Sequence, residues 1–219
     1  MNNVLIVVAH PDDEVLGCGA TIAKHTRAGD KVKIIFLADG FSSRSDGISR
    51  CGASKCASEI LECETPIFFD YPDNQLDSVP LLKIVQDLEG IFYDFKPNIV
   101  YTHHFGDLNV DHQVTHRAVM TVCRPQPGFY VKEIYSFEIL SSTHWQSVGM
   151  RNTFIPNYFI DVDKFLDEKI RALQCYGKEL RRYPHARSYE SVKNLAKVRG
   201  SIIGVEYAEA FMVERVITG

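Results

Sequence analysis

The sequence has a single tryptophan, no CxxC pair among its six cysteines, and no apolar run long enough to cross a bilayer. Val4 to Ala9 is continuously apolar but stops at His10, far short of the roughly 18 residues that a spanning helix requires. It also lacks the basic flank and the length of a secretory signal, so membrane insertion is not expected. Excess positive charge is missing as well. Lys and Arg total 24 against 28 Asp and Glu, a formal charge of −4, which leaves no electrostatic footprint for a nucleic-acid partner. With neither paired metal-type spacing nor an export segment, Cys18, Cys51, Cys56, Cys63, Cys123 and Cys175 are expected as reduced thiols of a cytoplasmic protein, mostly buried as small apolar side chains. Internal repeats and low-complexity linkers are also absent. The Pro/Gly-rich stretch Arg124-Pro125-Gln126-Pro127-Gly128 reads as a loop within one domain spanning 1–219. At 45% hydrophobic and 24% charged the composition is that of an ordinary globular protein, large enough to bury about 70% of its unfolded surface without staples. A monomer and a homo-oligomer are both left open.

The first 120 or so residues alternate strand and helix. Val4 to Ala9 is a β-branched run of the kind buried on both faces of a sheet. A helix is expected over Glu14–Ala28, closed by Gly29-Asp30, then a strand over Lys31–Leu37 and a helix over Arg50–Leu61. A short strand at Ile67–Asp70 precedes an amphipathic helix over Pro80–Phe95, whose inward face carries Leu81, Ile84, Val85, Leu88, Ile91 and Phe92. Asn98–Thr102 reads as a strand and Val114–Cys123 as a helix. The last third carries strands at Glu133–Leu140 and Phe154–Val162, a long helix over Asp163–Arg182, and a further helix over Ser191–Ile203. The pattern predicts an α/β fold: a Rossmann-like, mostly parallel sheet with helices on both faces, plus C-terminal strands and helices.

Chemistry in such sheets sits beyond the carboxyl ends of the strands. Two polar clusters fall there: His10-Pro11-Asp12-Asp13-Glu14 after the first strand, and the stretch His103 to His112 after the strand that ends at Thr102. So many imidazoles and carboxylates beside a buried strand end are costly unless compensated, and a divalent cation compensates them. Imidazole plus carboxylate suits Zn²⁺ with three protein ligands and an open position, two ligands from the first cluster and one from the second. Of two adjacent aspartates, one can ligate while its neighbour takes a proton, the division of labour that a metal hydrolase needs.

Ala9-His10-Pro11-Asp12-Asp13-Glu14 resembles the AHPDDE signature of the PIG-L/LmbE-like deacetylases, and Asn109-Val110-Asp111-His112 is similar to the family's second signature. Arg199-Gly200 through Tyr207-Ala208-Glu209-Ala210-Phe211 is similar to its C-terminal block, so the resemblance runs over nearly the whole chain. It implies His10, Asp13 and His112 as zinc ligands, Asp12 as general base, and Glu14 as a support that ties a ligand or the helix start. Arg50 and Asp73 fall where the family contacts its substrate, with Arg44 a rival to Arg50. The sequence departs at Asn109, where many members carry a histidine. Asn109 can donate a hydrogen bond but cannot deliver a proton. Asp12 then serves as both base and acid, or His103 or His104 fills the gap with Asp111 orienting it.

The implied activity is hydrolysis of the acetamide of an N-acetylated amino sugar or its nucleotide-, lipid- or thiol-linked conjugate, a small-molecule substrate. A metal-dependent amidase on a non-sugar amide and a catalytically silent binding protein are the alternatives. A His/His/Asp site does not by itself separate Zn²⁺ from Fe²⁺ or Co²⁺. His116, His144 and His185 read as structural or solvent-facing. Gly17 and Gly19 read as close packing of helix on sheet rather than a phosphate loop. The region around Arg181, Arg182 and Arg187 reads as solvated surface in preference to an anion site.

Overall fold

A computed structural model describes residues 1–39, 50–128, 130–147, 149 and 153–218. Strands β1 (Asn3–Val8), β2 (Lys31–Ala38), β3 (Ile67–Tyr71) and β4 (Ile99–His103) alternate with helices α1 (Asp13–Arg27), α2 (Cys51–Ile60) and α3 (Leu81–Phe95). Then follow α4 (Val110–Val122), β5 (Glu133–Phe137), β6 (Tyr158–Asp161), α5 (Leu166–Cys175), α6 (Tyr189–Ile203) and β7 (Ala208–Val216). One seven-stranded sheet runs in the order β3-β2-β1-β4-β5-β7-β6. The first five strands of that order are mutually parallel; β7 is antiparallel to both β5 and β6. The chain winds outward from β1 to β3, then returns to lay β4 against the other side of β1. That reversal is the switch point at which loops diverge and leave a crevice, and His10 and His103 both leave the sheet there.

The expected β1 is buried on both faces. Val4, Ile6 and Val8 pack into the core shared with α1, α2, α5 and α6, while Leu5 and Val7 pack into the core shared with α3 and α4. Close packing at Gly17 is also observed: a Cβ there would stand 2.3 Å from the Phe137 ring. Helix α1 is interrupted at Cys18 (φ −144°, ψ 26°), which leaves backbone groups to be satisfied from elsewhere. The Glu209 carboxylate of β7 accepts from the Ala20 and Thr21 amides at 3.1 and 2.7 Å, and Lys169 donates to Leu16 O at 2.9 Å. Lys169 and Glu209, 2.6 Å apart, complete the stitch.

Four expectations are corrected. β7 is a full strand between β5 and β6, where the sequence suggested only a motif. Its charged Glu209, Glu214 and Arg215 obscure a strand pattern, although Glu209 is buried on α1. Helix α4 begins four residues before the expected Val114, because Asn109 caps it: its side-chain oxygen accepts from Asp111 N at 2.8 Å. Helix α5 stops at Cys175 instead of running to Arg182. Finally, packing of α2 on α5 brings the Cα atoms of Cys56 and Cys175 to 6.1 Å, and the two form a disulfide. The expectation of six reduced thiols is therefore wrong at this pair, and the cytoplasmic expectation loses that support. Among the described residues no helix is long and apolar enough to cross a membrane.

Candidate active site

β1 ends in the turn His10-Pro11-Asp12, and α1 starts at Asp13. Asp12 is held at φ 120°, a conformation that costs a non-glycine residue on the order of 1–3 kcal/mol and is maintained only where the surroundings over-determine it. Glu14 supplies part of that restraint. Its Oε2 accepts from Asp12 N at 3.1 Å, and Tyr176 donates to its Oε1 at 2.6 Å. Burial raises Glu14 to about 8, opposed by the Tyr176 hydroxyl.

Asp13 Oδ2 is the hub. It accepts from His10 N at 2.9 Å and lies 3.2 Å from His10 Nδ1, 3.2 Å from His112 Nε2 and 3.5 Å from His103 Nε2. His10, Asp13 and His112 each offer one ligand atom, all within 4.8 Å of one another. Ligands about 2.1 Å from a tetrahedral zinc ion stand roughly 3.4 Å apart, so the spacing fits. Among the described residues, buried Asp13 Oδ1 and His112 Nε2 make no directed hydrogen bond. Burial works against the charge on Asp13, yet His112 and His103 hold it well below the usual carboxylate range. Burial also disfavours a charged His112, but Asp13 and Asp107 raise it to about 9. A cation would take the place of that proton, since a ligating imidazole is neutral.

The other edge of each imidazole is held by carboxylates. His10 Nε2 is 2.9 Å from Asp111 Oδ2 and 3.1 Å from Asp73 Oδ1, and these three also satisfy the same proximity as a metal-ligand set. Asp111 is itself pinned by the amides of Asn74 at 2.7 Å and Leu76 at 2.9 Å. Thus Asp111 meets His10 rather than His103 or His104, and Asp73, expected at the substrate, is buried against the same imidazole. Against burial, Asp111, Asp13 and Asp73 lift His10 well above its ordinary value. On His112, Nδ1 is 3.2 Å from Asp107 Oδ1. Asp107 also receives Thr143 Oγ1 at 2.6 Å, Ser142 Oγ at 3.0 Å and Asn109 N at 2.8 Å. Despite burial, the His112 hydrogen bond and charge draw Asp107 down to about 2.

His103 accepts the Ala9 amide through Nε2 at 3.0 Å and stacks on His112 with centroids 3.8 Å apart. Burial, with His112 adding to it, drives its pKa well below the ordinary value, so it stands as a neutral packing group. His104 is buried with its ring beside Phe105 and Phe154. Asn109 Nδ2 donates to Asn74 Oδ1 at 3.2 Å.

Around Asp12 the structure assembles two guanidinium groups. Arg187 Nη1 is 3.3 Å and Arg50 Nη1 3.8 Å from Asp12 Oδ2. Arg50 also donates to Pro11 O at 3.0 Å and pairs with Glu179 at 3.1 Å. Arg187, expected on a solvated surface, donates through Nε to Ser141 Oγ at 3.0 Å. Burial raises Asp12 to about 7, with Arg187 opposing the rise and Asp13 adding to it. Asp107 and Arg187 are the site groups that the sequence did not mark; Asp107 lies inside the second polar cluster, whereas Arg187 carried no local signal. Arg44 lies outside the described residues.

The family model of PIG-L, the GlcNAc-PI de-N-acetylase, matches residues 5–123. YaiS of Escherichia coli (strain K12), described as an uncharacterized deacetylase, is 30% identical over 177 residues, 78% of this chain and 88% of its own length. A diacetylchitobiose deacetylase of Thermococcus kodakarensis is 25% identical over 235 residues, 95% of this chain and 82% of that protein. In fold, a conserved protein of Thermus thermophilus superposes with a TM-score of 0.80 at 23% identity, over 100% of this chain and 97% of the other.

Proposed function

The chain belongs to the GlcNAc-PI de-N-acetylase (PIG-L) family, and on that premise we propose that it is a zinc-dependent N-deacetylase, acting on the acetamide of an N-acetylated amino sugar or its conjugate. The observation that carries this reading is the convergence of His10 Nδ1, Asp13 Oδ2 and His112 Nε2 directly beside the constrained carboxylate of Asp12. His10, Asp13 and His112 would hold the cation, which when bound acidifies water and polarises a carbonyl.

The chain's own groups do the rest. Asp12 accepts a proton from the attacking water as its oxygen adds to the acetamide carbon. The C–N bond then breaks, and Asp12 returns that proton to the leaving nitrogen, giving acetic acid and a free amine, which at neutral pH part as acetate and ammonium. A carboxyl raised to about 7 suits both halves of that exchange near neutrality. Arg187 holds Asp12 Oδ2 in place and supports its ionised form. Asn109 is engaged at both ends, its oxygen on Asp111 N and its nitrogen on Asn74. Its part in this reading is to shape the first turn of α4, which carries Asp111 and His112, so proton delivery falls to Asp12.

Asp12→Asn tests the assignment. Zinc content by elemental analysis should stay at the wild-type level, while acetate release from N-acetyl sugars should fall roughly 10²–10⁴-fold. Near-normal turnover in that variant would refute the role given to Asp12.

A further inference from the structure

β5 ends at Phe137, and the chain then turns through Leu140-Ser141-Ser142-Thr143. Ser141 sits in that turn at φ 85°, although it is neither glycine nor asparagine, the residues that adopt positive φ at low cost. A conformation of this kind persists where something else requires it. The turn itself is closed by groups other than the Ser141 side chain. Trp145 N donates to Ser141 O at 2.8 Å, and Thr143 is tied to Ile139 by bonds of 2.8 and 3.0 Å. The buried Ser141 hydroxyl is aimed elsewhere: its oxygen accepts from Arg187 Nε at 3.0 Å, across 46 residues of sequence. Arg187 Nη1 in turn lies 3.3 Å from Asp12 Oδ2. Two separate points of one rigid guanidinium plane are thereby held, one by the turn and one by the carboxylate. The Arg187 backbone is fixed as well, its amide donating to His185 Nδ1 at 3.0 Å and its carbonyl accepting from Arg181 N at 3.0 Å. The next two side chains of the turn, Ser142 and Thr143, hold Asp107 behind His112, so the metal side of the site rests on the same turn through different hydroxyls.

We propose that Ser141 is a positioning residue for Asp12: its hydroxyl fixes the Arg187 guanidinium on the Asp12 carboxylate, and the turn keeps a serine at positive φ for the sake of that contact. This rests on the deacetylase reading above, in which Asp12 moves the proton. Without the hydroxyl the guanidinium keeps its charge but is held at one point only, and its side-chain torsions let it swing away from Asp12 Oδ2. A proton transfer depends on where the accepting oxygen stands and points, so the loss falls on turnover. The imidazoles assigned to zinc are backed by Asp107 and Asp111, which this change does not touch.

Ser141→Ala, Ser141→Gly, Arg187→Lys and the double variant Ser141→Ala/Arg187→Lys are compared with the wild type in zinc content, in steady-state acetate release from N-acetyl sugars, and in urea unfolding. Ser141→Ala should lower kcat about tenfold, with KM within about twofold and zinc content unchanged. Ser141→Gly should be more stable to urea than Ser141→Ala, because glycine takes this φ freely, yet it should lose kcat to the same extent. A lysine at 187 has one nitrogen where arginine uses two. In Arg187→Lys, therefore, adding Ser141→Ala should lower kcat no further and should shift the urea midpoint less than it does in the wild type. An unchanged kcat in Ser141→Ala, a return of wild-type kcat in Ser141→Gly, or full kinetic additivity of Ser141→Ala and Arg187→Lys overturns the proposal. The two readings fail separately. Acetate release by the wild type with kinetic additivity in the double variant sinks the Ser141 proposal and leaves the deacetylase assignment standing. A wild type that binds zinc and releases no acetate sinks that assignment, and the urea comparison then judges the contact by itself: non-additive midpoints support the hold on Arg187, and additive midpoints overturn it.

Discussion

Asp107→Asn separates a metal centre from a cluster of hydrogen bonds that only resembles one. The carboxylate takes four donors on its two oxygens: His112 Nδ1 and Asn109 N on Oδ1, and the hydroxyls of Ser142 and Thr143 on Oδ2. An asparagine can keep its oxygen toward His112 and Asn109 and turn its amide toward the two hydroxyls, which can rotate to accept. The fold is therefore retained, while the negative charge behind His112 is gone. Removing a carboxylate that orients a ligating imidazole typically costs 10–100-fold in metal affinity, or about 1.4–2.7 kcal/mol. Asp107→Ala would be a poor substitute. It would strand buried donors at about 1–3 kcal/mol each and would confound binding with unfolding.

The assay is a zinc titration of the apo protein in competition with a chromophoric chelator, with urea unfolding of both apo forms as control. The expected result is a Kd raised at least tenfold with the urea midpoint little moved. A Kd within twofold of wild type, at unchanged stability, would refute the reasoning: either His112 does not ligate, or the charge on Asp107 does not act through it.

Asp73→Asn should also weaken zinc binding, by about tenfold, because Asp73 sits 3.1 Å from His10 Nε2; a residue that contacts only sugar would raise KM and leave metal affinity alone, and parallel titrations tell the two apart. Gly17→Ala should destabilise the fold by about 1–3 kcal/mol in urea, since the new methyl would press on the Phe137 ring; full stability would show that the α1–β5 contact is looser than described. Glu138 is buried and held below its ordinary pKa against burial by His144 and Arg199, the latter through two bonds of 2.7 Å. A depressed folded-state pKa contributes stability above the unfolded value of about 4.3 and loses it as pH falls through the folded value. Glu138→Gln should thus cost about 3 kcal/mol at pH 7, and the gap to wild type should close as the pH drops below 4; a gap independent of pH would show that Glu138 is not held ionised.

The elements of the first half were legible because their apolar residues repeat with a helix or strand period, and β1 announces itself as a strand buried on both faces. The second half is less periodic for a physical reason. β7 carries Glu209 inward, paired with Lys169 and two α1 amides, so a buried strand reads as polar. The site divides in the same way. His10, Asp13 and His112 were visible as polar residues at strand ends, which need compensation wherever they fold. Arg187 was not, because its meaning depends on a contact across 175 residues. Asp107 stood in a recognisable cluster, but nothing in the spacing says which carboxylate there faces which imidazole.

Asn109 shows how these halves depend on each other. A histidine at that position could carry a proton but would offer α4 a poorer cap. With asparagine the cap is made, α4 starts at Val110, and the first turn delivers Asp111 to His10 and His112 to Asp13. In the proposed mechanism the proton chemistry is then concentrated on Asp12, the one residue of the turn locked at positive φ between the Glu14 side chain and the Arg187 guanidinium. If Asn109→His were made, an added acid should raise turnover with poor leaving amines only if the α4 cap survives. Thermal unfolding measured beside kcat decides between the two effects: a gain in kcat at unchanged stability would show that Asp12 alone was limiting proton delivery, and an unchanged kcat at unchanged stability would show that it was not.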